Sequence, residues 1–253
     1  MFLDKQLLKR SLFIDIETVS EYSDYESLPD LKKELWKAKA EQLRKFNSAH
    51  ESEKSDQELY SAKAGIFAEF SKVVCISMGF LSFEHDEVKG VRLKSLAGNE
   101  EHRILDDFSR ILVNHYNDPE NSRICGHNIK EFDIPFLCRR MVINQIKFPP
   151  VLDISGKKPW QTNHILDTMD MWRFGDYKNY TSLSLLAGAL NIDSPKDNLD
   201  GSMVGEVFWK EEDIDRIVLY CQKDVVTVAQ IMMKFAGLPL FAPDHIEYLN
   251  QKE

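Results

Sequence analysis

The stretch Tyr220-Cys-Gln-Lys-Asp224 sets a phenol and a carboxylate into the middle of an apolar helix face. The surrounding run from Glu211 to Phe235 reads as one helix, with acidic residues in its first turn and neither Gly nor Pro inside. At about 100° per residue, Ile214, Ile217, Cys221, Val228 and Ile231 share one side with Tyr220 and Asp224. Leu219, Val226 and Met233 place apolar residues on the other side, so the helix is expected to be covered on both. An ionised Asp at the centre of such a helix is costly unless something pairs with it. The best partners are other acids held by a metal.

Outward from this helix, the chain alternates strand and helix patterns. Ser11 to Ile16 reads as a short apolar strand. Residues 25–65 are dense in charge, with Leu31, Leu35, Trp36, Leu43 and Phe46 at helical spacing, and read as a helical insertion packed against the domain. Polar residues crowd between Asn47 and Asp56 and break it into a hairpin. Lys72 to Phe83 and Val88 to Leu93 form a strand hairpin across Glu84 to Glu87. Asn99 is placed to cap a helix carrying Ile104, Leu105, Phe108, Ile111 and Leu112. Arg123 to Gly126 is a strand, Phe136 to Ile143 a helix opened by Pro135, Ile165 to Met169 a strand, and Thr181 to Leu190 a helix. A polar loop from Asp193 to Gly205 leads into the last helix. This order implies an α/β sheet with helices packed on it, in one domain with an inserted arm.

Hydrophobic content of 43% and charged content of 29% are those of an ordinary globular protein. A net charge of −9 argues against a passive nucleic-acid coat. It leaves room for an enzyme whose bound cations supply local positive charge. Cys75, Cys125, Cys138 and Cys221 are widely spaced in apolar segments and read as free thiols of a reducing compartment. The histidines show no zinc spacing. No signal-peptide region and no membrane-length apolar run is present, so a soluble, cytoplasmic protein is expected.

Asp15 and Glu17 are two residues apart at the end of the first strand, so both point to one face with Phe13. Leu12, Ile14 and Ile16 fill the other. Taken alone, the pair reads as a strand running out into solvent. Asp133, taken alone, reads as a cap for the helix at Ile134-Pro135, and Asn128 and Phe132 as turn and core residues. Asp224 resists such a reading, because its neighbours are apolar. Four acids converging at one sheet edge repel strongly: at ~5 Å and an effective dielectric of about 20, each pair costs roughly 3 kcal/mol. Such a cluster takes up protons or binds divalent cations, and hard oxygen ligands select Mg²⁺ or Mn²⁺.

These segments resemble the motifs of the DEDD superfamily of 3′–5′ exonucleases. Phe13-Ile-Asp15-Ile-Glu17-Thr18 resembles its D-x-E motif. Gly126-His-Asn128-Ile-Lys-Glu-Phe132-Asp133 is similar to its N-x₃-F-D motif, in the form found in the proofreading domains of family-B DNA polymerases. Tyr220-x₃-Asp224 matches the DEDDy branch, since the histidine branch needs His where Leu219 stands. The resemblance implies an RNase H-like fold with a mixed five-stranded sheet and two divalent cations. Carried over, Asp15, Glu17 and Asp224 ligate one metal. Asp15 and Asp133 hold the second, and Tyr220 orients the attacking water. Thr18, Asn128 and Phe132 match contacts to the 3′-terminal nucleotides, and Ser182-Leu183 resembles a single-strand-binding S/T-L motif.

The expected activity is metal-dependent 3′–5′ exonucleolytic hydrolysis of single-stranded DNA, releasing nucleoside monophosphates. An exoribonuclease on RNA is the same-class alternative. A non-catalytic nucleic-acid-binding adaptor is the different-class one, disfavoured because all four acids and the Tyr are present. For the lysines and arginine of the arm (Lys32, Lys33, Lys37, Lys39, Arg44, Lys45), a solvated face is the plainer reading and a DNA contact the sharper one.

Overall fold

Alternating burial divides the first strand between two apolar layers, and the sheet grows outward from it. The computed structural model describes residues 3–46, 52–176, 178, 180–193 and 199–249. Strand β1 (Ser11–Ser20) turns Leu12, Ile14 and Ile16 into one apolar cluster and Phe13 into another, as a two-residue side-chain period requires. It runs four residues past the expected Ile16, so Asp15 and Glu17 lie mid-strand rather than at a strand end. Strands β2 (Ser71–Glu84) and β3 (Glu87–Ala97) form the antiparallel hairpin beside it. Its connection, His85-Asp86, has positive φ at both residues, 47° and 69°, which matches the twist of the flanking strands.

Strands β4 (Arg123–Gly126) and β5 (Ile165–Asp167) extend the sheet in parallel on the other side of β1. Strand β6 (Ile246–Tyr248) pairs in parallel with β3. The order β5-β4-β1-β2-β3-β6 makes a mixed sheet of six strands where five were expected. The extra strand has three residues, too few for an alternating pattern to show.

The α-helices of five or more residues among the described residues are α1 (Lys5–Lys9), α2 (Asp30–Phe46), α3 (Asp56–Lys63), α4 (Glu101–His115), α5 (Asp133–Ile143), α6 (Thr168–Arg173), α7 (Leu183–Ala189) and α8 (Ile214–Phe235). Helices α4 and α5 cover one sheet face, with Leu105, Phe108, Ile134 and Leu137 packed on Ile14, Ile76 and Ile124. Helix α8 covers the other, with Val225, Val228, Ala229 and Met232 on Phe13, Leu93 and Cys125. Gly79 lets α8 sit this close: a Cβ there would lie 2.8 Å from both Leu93 Cδ2 and Val225 Cγ1.

Several boundaries differ from expectation for identifiable reasons. Helix α8 starts at Ile214 rather than Glu211, because Asp213 caps it by accepting from the Arg216 N–H. Val207–Glu211 instead forms a π-helical turn closed by Glu212 in the left-handed region (φ 55°). Asn99 is not the cap of α4, whose N-cap position is Glu100 without a side-chain bond. Helix α5 begins at Asp133, with Pro135 inside its first turn. Strand β5 stops at Asp167, whose carboxylate caps α6 by accepting from the Met169 and Asp170 N–H groups. Ser182 likewise caps a shorter α7 through the Leu185 N–H.

In the arm, Trp36, Ala40, Leu59, Tyr60 and Phe70 bury one another in a cluster of their own. Leu31 and Leu35 were expected to pack but are 67% and 53% exposed. The expected break after Phe46 falls partly on residues 47–51, and the loop after Asp193 on residues 194–198, both outside the described residues.

One buried ion pair ties the layers together. Glu101 accepts from Arg140 Nε and Nη2 at 2.8 and 2.5 Å, from Asn144 Nδ2 at 2.9 Å and from the Val73 N–H at 2.8 Å. Arg140 Nη1 also donates to the Ala68 carbonyl at 2.7 Å. Both side chains are nearly inaccessible, at 8% and 5%. Removing one charge strands the other, so Glu101→Gln is expected to cost about 3–5 kcal/mol in urea unfolding. The double variant Glu101→Leu/Arg140→Met should lose much less than the sum of the single losses.

Candidate active site

Two elements from opposite ends of the chain bring the acids together. β1 presents Asp15 and Glu17 toward α8, and its pairing with β2 shifts register directly after Glu17. The α8 turn facing them buries Cys221 beside Val19 and Cys75, with Tyr220 before it and Asp224 one turn on. Asp133 opens α5 and is 5% exposed. Asp15, Glu17, Asp133, Tyr220 and Asp224 all line one cleft of about 690 Å³.

The remaining expected residues divide. Asn128, Phe132, Ser182 and Leu183 line the same cleft. Thr18 does not, and its hydroxyl donates to the Gly65 carbonyl at 2.7 Å, tying β1 to the end of the arm. Asn128 adopts φ 58°, a left-handed conformation that Asn tolerates. Its side-chain oxygen is buried with no hydrogen-bond partner among the described residues.

The carboxylates are held where charge is unwelcome. Burial, then the charges of Asp224, Glu17 and Asp133, raises the Asp15 pKa well above the usual range. Burial, followed by Asp224, does the same to Glu17. Asp133 is pushed up to about 7, chiefly by burial, although its own N–H and that of Ile16 donate to it and oppose the shift. Burial and the neighbouring acids also raise Tyr220 above the ordinary phenol range, so it carries its proton at neutral pH.

The donor set fits hard divalent cations. Oxygen atoms of Asp15 and Glu17 and the sulfur of Cys221 lie within 4.8 Å of one another. Burial drives the Cys221 thiol pKa up, so the sulfur keeps its proton and lies in donor reach, 3.3 Å, of the Asp15 carboxylate. The available ligands are therefore carboxylate oxygens, which suit Mg²⁺ or Mn²⁺ rather than a thiophilic metal. Behind Asp15, which pairs with Ser77, a polar thread runs from Gln222 Nε2 to Ser95 Oγ (2.9 Å) and on to Ser77 Oγ (2.9 Å). It fixes α8 against the hairpin one residue from Cys221.

Sequence reasoning missed several residues. Asp167 is 2% exposed and accepts from the Asn128 and Lys130 N–H groups at 3.0 and 3.1 Å, so it shapes the loop that carries Asn128. Its position at a strand exit before Thr168-Met169-Asp170 carries a capping signal, which the longer strand reading overrode. His127, Tyr180, Asp200 and Lys223 also line the cleft. Tyr180 and Asp200 come from loops whose sequence gives no local sign of where they lie.

No curated protein matches the chain. Its fold is similar to that of the family B DNA polymerase from the hyperthermophilic archaeon Pyrobaculum calidifontis, with a TM-score of 0.50 and 14% identity over 88% of this chain. The chain spans about a quarter of that polymerase, 24% of its length. No helix among the described residues is long and apolar enough to cross a membrane. Residues 66–239 match the model of a family described as predicted 3′–5′ exonucleases related to the exonuclease domain of PolB. That segment holds Asp133, Tyr220 and Asp224, while Asp15 and Glu17 precede it and reach the same cleft through the fold. The chain belongs to this family of 3′–5′ exonucleases.

Proposed function

We propose that the enzyme removes nucleotides one at a time from the 3′ end of single-stranded DNA by two-metal-ion hydrolysis. The observation that carries this reading is the cluster of half-buried Asp15 with buried Glu17 and Asp133, their pKa values raised, beside Asp224. Such acids either keep protons or hold cations. Asp15, Glu17 and Asp224 would hold one Mg²⁺ or Mn²⁺, and Asp15 with Asp133 the second. Bound there, the ions supply an activated water and stabilise the leaving oxygen.

The chain's own residues do the rest. Tyr220 keeps its proton and donates a hydrogen bond that orients the attacking water, since a phenol with a raised pKa is no base at neutral pH. Water adds to phosphorus as the bond to the 3′-oxygen breaks, giving a nucleoside 5′-monophosphate and a strand ending in a new 3′-hydroxyl. Asn128, Phe132, Ser182 and Leu183 contact the terminal nucleotides. The choice of DNA over RNA rests on the polymerase-like second motif. We read residues 1–253 as one exonuclease domain with a helical insertion at about 25–65. Four free cysteines, three of them buried, suit a reducing compartment such as the cytoplasm.

Asp224→Ala and Asp15→Ala are each expected to lower hydrolysis of end-labelled single-stranded DNA by at least about 100-fold while circular dichroism stays unchanged. Chelator should abolish activity, and Mg²⁺ or Mn²⁺ restore it. Retained activity in either folded variant sinks the assignment, and faster cleavage of RNA than DNA replaces the substrate.

The raised pKa values also fix a pH dependence. Asp15, Glu17 and Asp133 bind protons more tightly folded than unfolded. Their contribution to metal-free stability is therefore full below the unfolded values near ~4 and lost as pH rises through the folded ones. For Asp133 that loss is nearly complete once the pH passes about 7. Mg²⁺ should then raise the melting temperature more at pH ~8 than at pH ~5, relative to chelator. Equal shifts at the two pH values would count against cation binding by these acids.

A further inference from the structure

Four aromatic side chains among the described residues are exposed: Phe80, Trp160, Phe174 and Tyr180. Of these, Tyr180 alone lines the active cleft, where it is 68% exposed. Its segment is pinned from behind by a residue that the chemistry above does not use. His127 Nδ1 lies 2.8 Å from Thr168 Oγ1, and its Nε2 lies 2.8 Å from the Thr181 carbonyl oxygen. A carbonyl oxygen only accepts, so Nε2 carries the proton and donates to Thr181, while the Thr168 hydroxyl beside Nδ1 also lies 3.3 Å from the Gly126 carbonyl oxygen. Ser182 then caps α7. Tyr180 is thus carried on backbone fixed within two residues.

The charge of the cleft decides how a strand is gripped there. Asp15, Glu17, Asp133, Asp200 and Asp224 line it, and Lys223 is the one lysine or arginine among its described lining residues. Cations held by the acids would offset this charge at the scissile phosphate. Among the described lining residues, only Lys223 offers a cation to phosphates further along the strand. Grip beyond the scissile bond must then come from the uncharged part of a nucleic acid, the faces of its bases. An exposed ring on a fixed backbone offers such a face without the cost of ordering the loop.

We propose that Tyr180 is the stacking platform for an unpaired base beside the scissile nucleotide, and that His127 is the positioning residue that aims it. The proposal rests on the single-strand exonuclease reading above and supplies its selectivity. A base must leave its duplex stack to reach the ring, so unpaired ends are favoured. Because the grip is not ionic, binding should depend only weakly on salt.

The test is binding of 5′-end-labelled oligothymidylate by fluorescence anisotropy in Ca²⁺, with steady-state kinetics on the same strand in Mg²⁺. Tyr180→Ala is expected to raise Kd and KM by about 5- to 150-fold, with a smaller change in kcat. Tyr180→Phe should restore both. His127→Ala should raise Kd in the same way, and His127→Gln, which keeps a donor toward Thr181, should recover part of the loss. Unchanged Kd in a Tyr180→Ala protein whose parent binds and cleaves overturns the stacking role alone. So does a loss confined to kcat, or a steep salt dependence in the parent. A parent that neither binds nor cleaves the strand overturns the exonuclease reading as well.

Discussion

Mutual repulsion among buried carboxylates is the constraint around which this molecule is arranged. Asp15, Glu17 and Asp133 each sit where burial penalises their charge, and each feels Asp224 as well. A pair of like charges at ~5 Å costs roughly 3 kcal/mol at an effective dielectric of about 20, comparable to a large share of a domain's net stability. Only a stiff surround can hold such groups together. β1 lies between β2 and β4 in the sheet, Gly79 allows α8 to close on the opposite side, and the Gln222–Ser95–Ser77 thread locks helix to hairpin. Within the cluster, the Cys221 thiol near Asp15 and the Ile16 N–H on Asp133 each offset part of the charge.

Helix α8 serves both the core and the chemistry, and its burial changes along its length. Toward its C-terminal end Val228, Ile231, Met232 and Met233 are all buried. Toward its N-terminal end Ile217 and Cys221 are buried but Leu219 is 43% exposed. The expectation of cover on both sides therefore holds for the half that anchors the helix. The half that carries Tyr220 and Asp224 is open on one flank, which gives a polymeric substrate access. The helix could not carry a carboxylate at its fully covered end without burying it completely.

What the sequence made legible follows from the range of the forces involved. The alternation Leu12-Phe13-Ile14-Asp15-Ile16-Glu17 is set by nearest neighbours, and it put both acids on the Phe13 face, which in the structure is the face that α8 covers. The α8 face was legible for the same reason. Asp133 was ambiguous between a cap and a ligand, and it is in fact the first helical residue, facing the cleft. β6 escaped notice because its pairing with β3 depends on a partner some 150 residues away in sequence, not on its own pattern. Tyr180 and Asp200 reach the cleft only through tertiary placement. Thr18 fits a motif locally, yet the arm claims its hydroxyl through Gly65.

That claim explains what the arm contributes. The strand that carries Asp15 and Glu17 shifts its register with β2 just beyond Glu17. Two contacts brace it there: the Thr18 hydroxyl on Gly65 from the end of the arm, and Trp209 Nε1 on the Ser20 carbonyl from the turn before α8. Lys72, on the paired strand, packs its ammonium 4.7 and 4.6 Å from the Phe208 and Trp209 rings. Four of the arm's six cations named above are meanwhile engaged close by. Lys32 pairs with Glu21, Lys33 with Glu26 and Arg44 with Asp56, and Lys39 lies over the Phe67 ring. Groups already paired have less to offer a phosphate backbone, whose binding draws on cations that release counterions. What the structure shows of the arm at the site is this tie: its end holds the Thr18 hydroxyl one residue beyond Glu17.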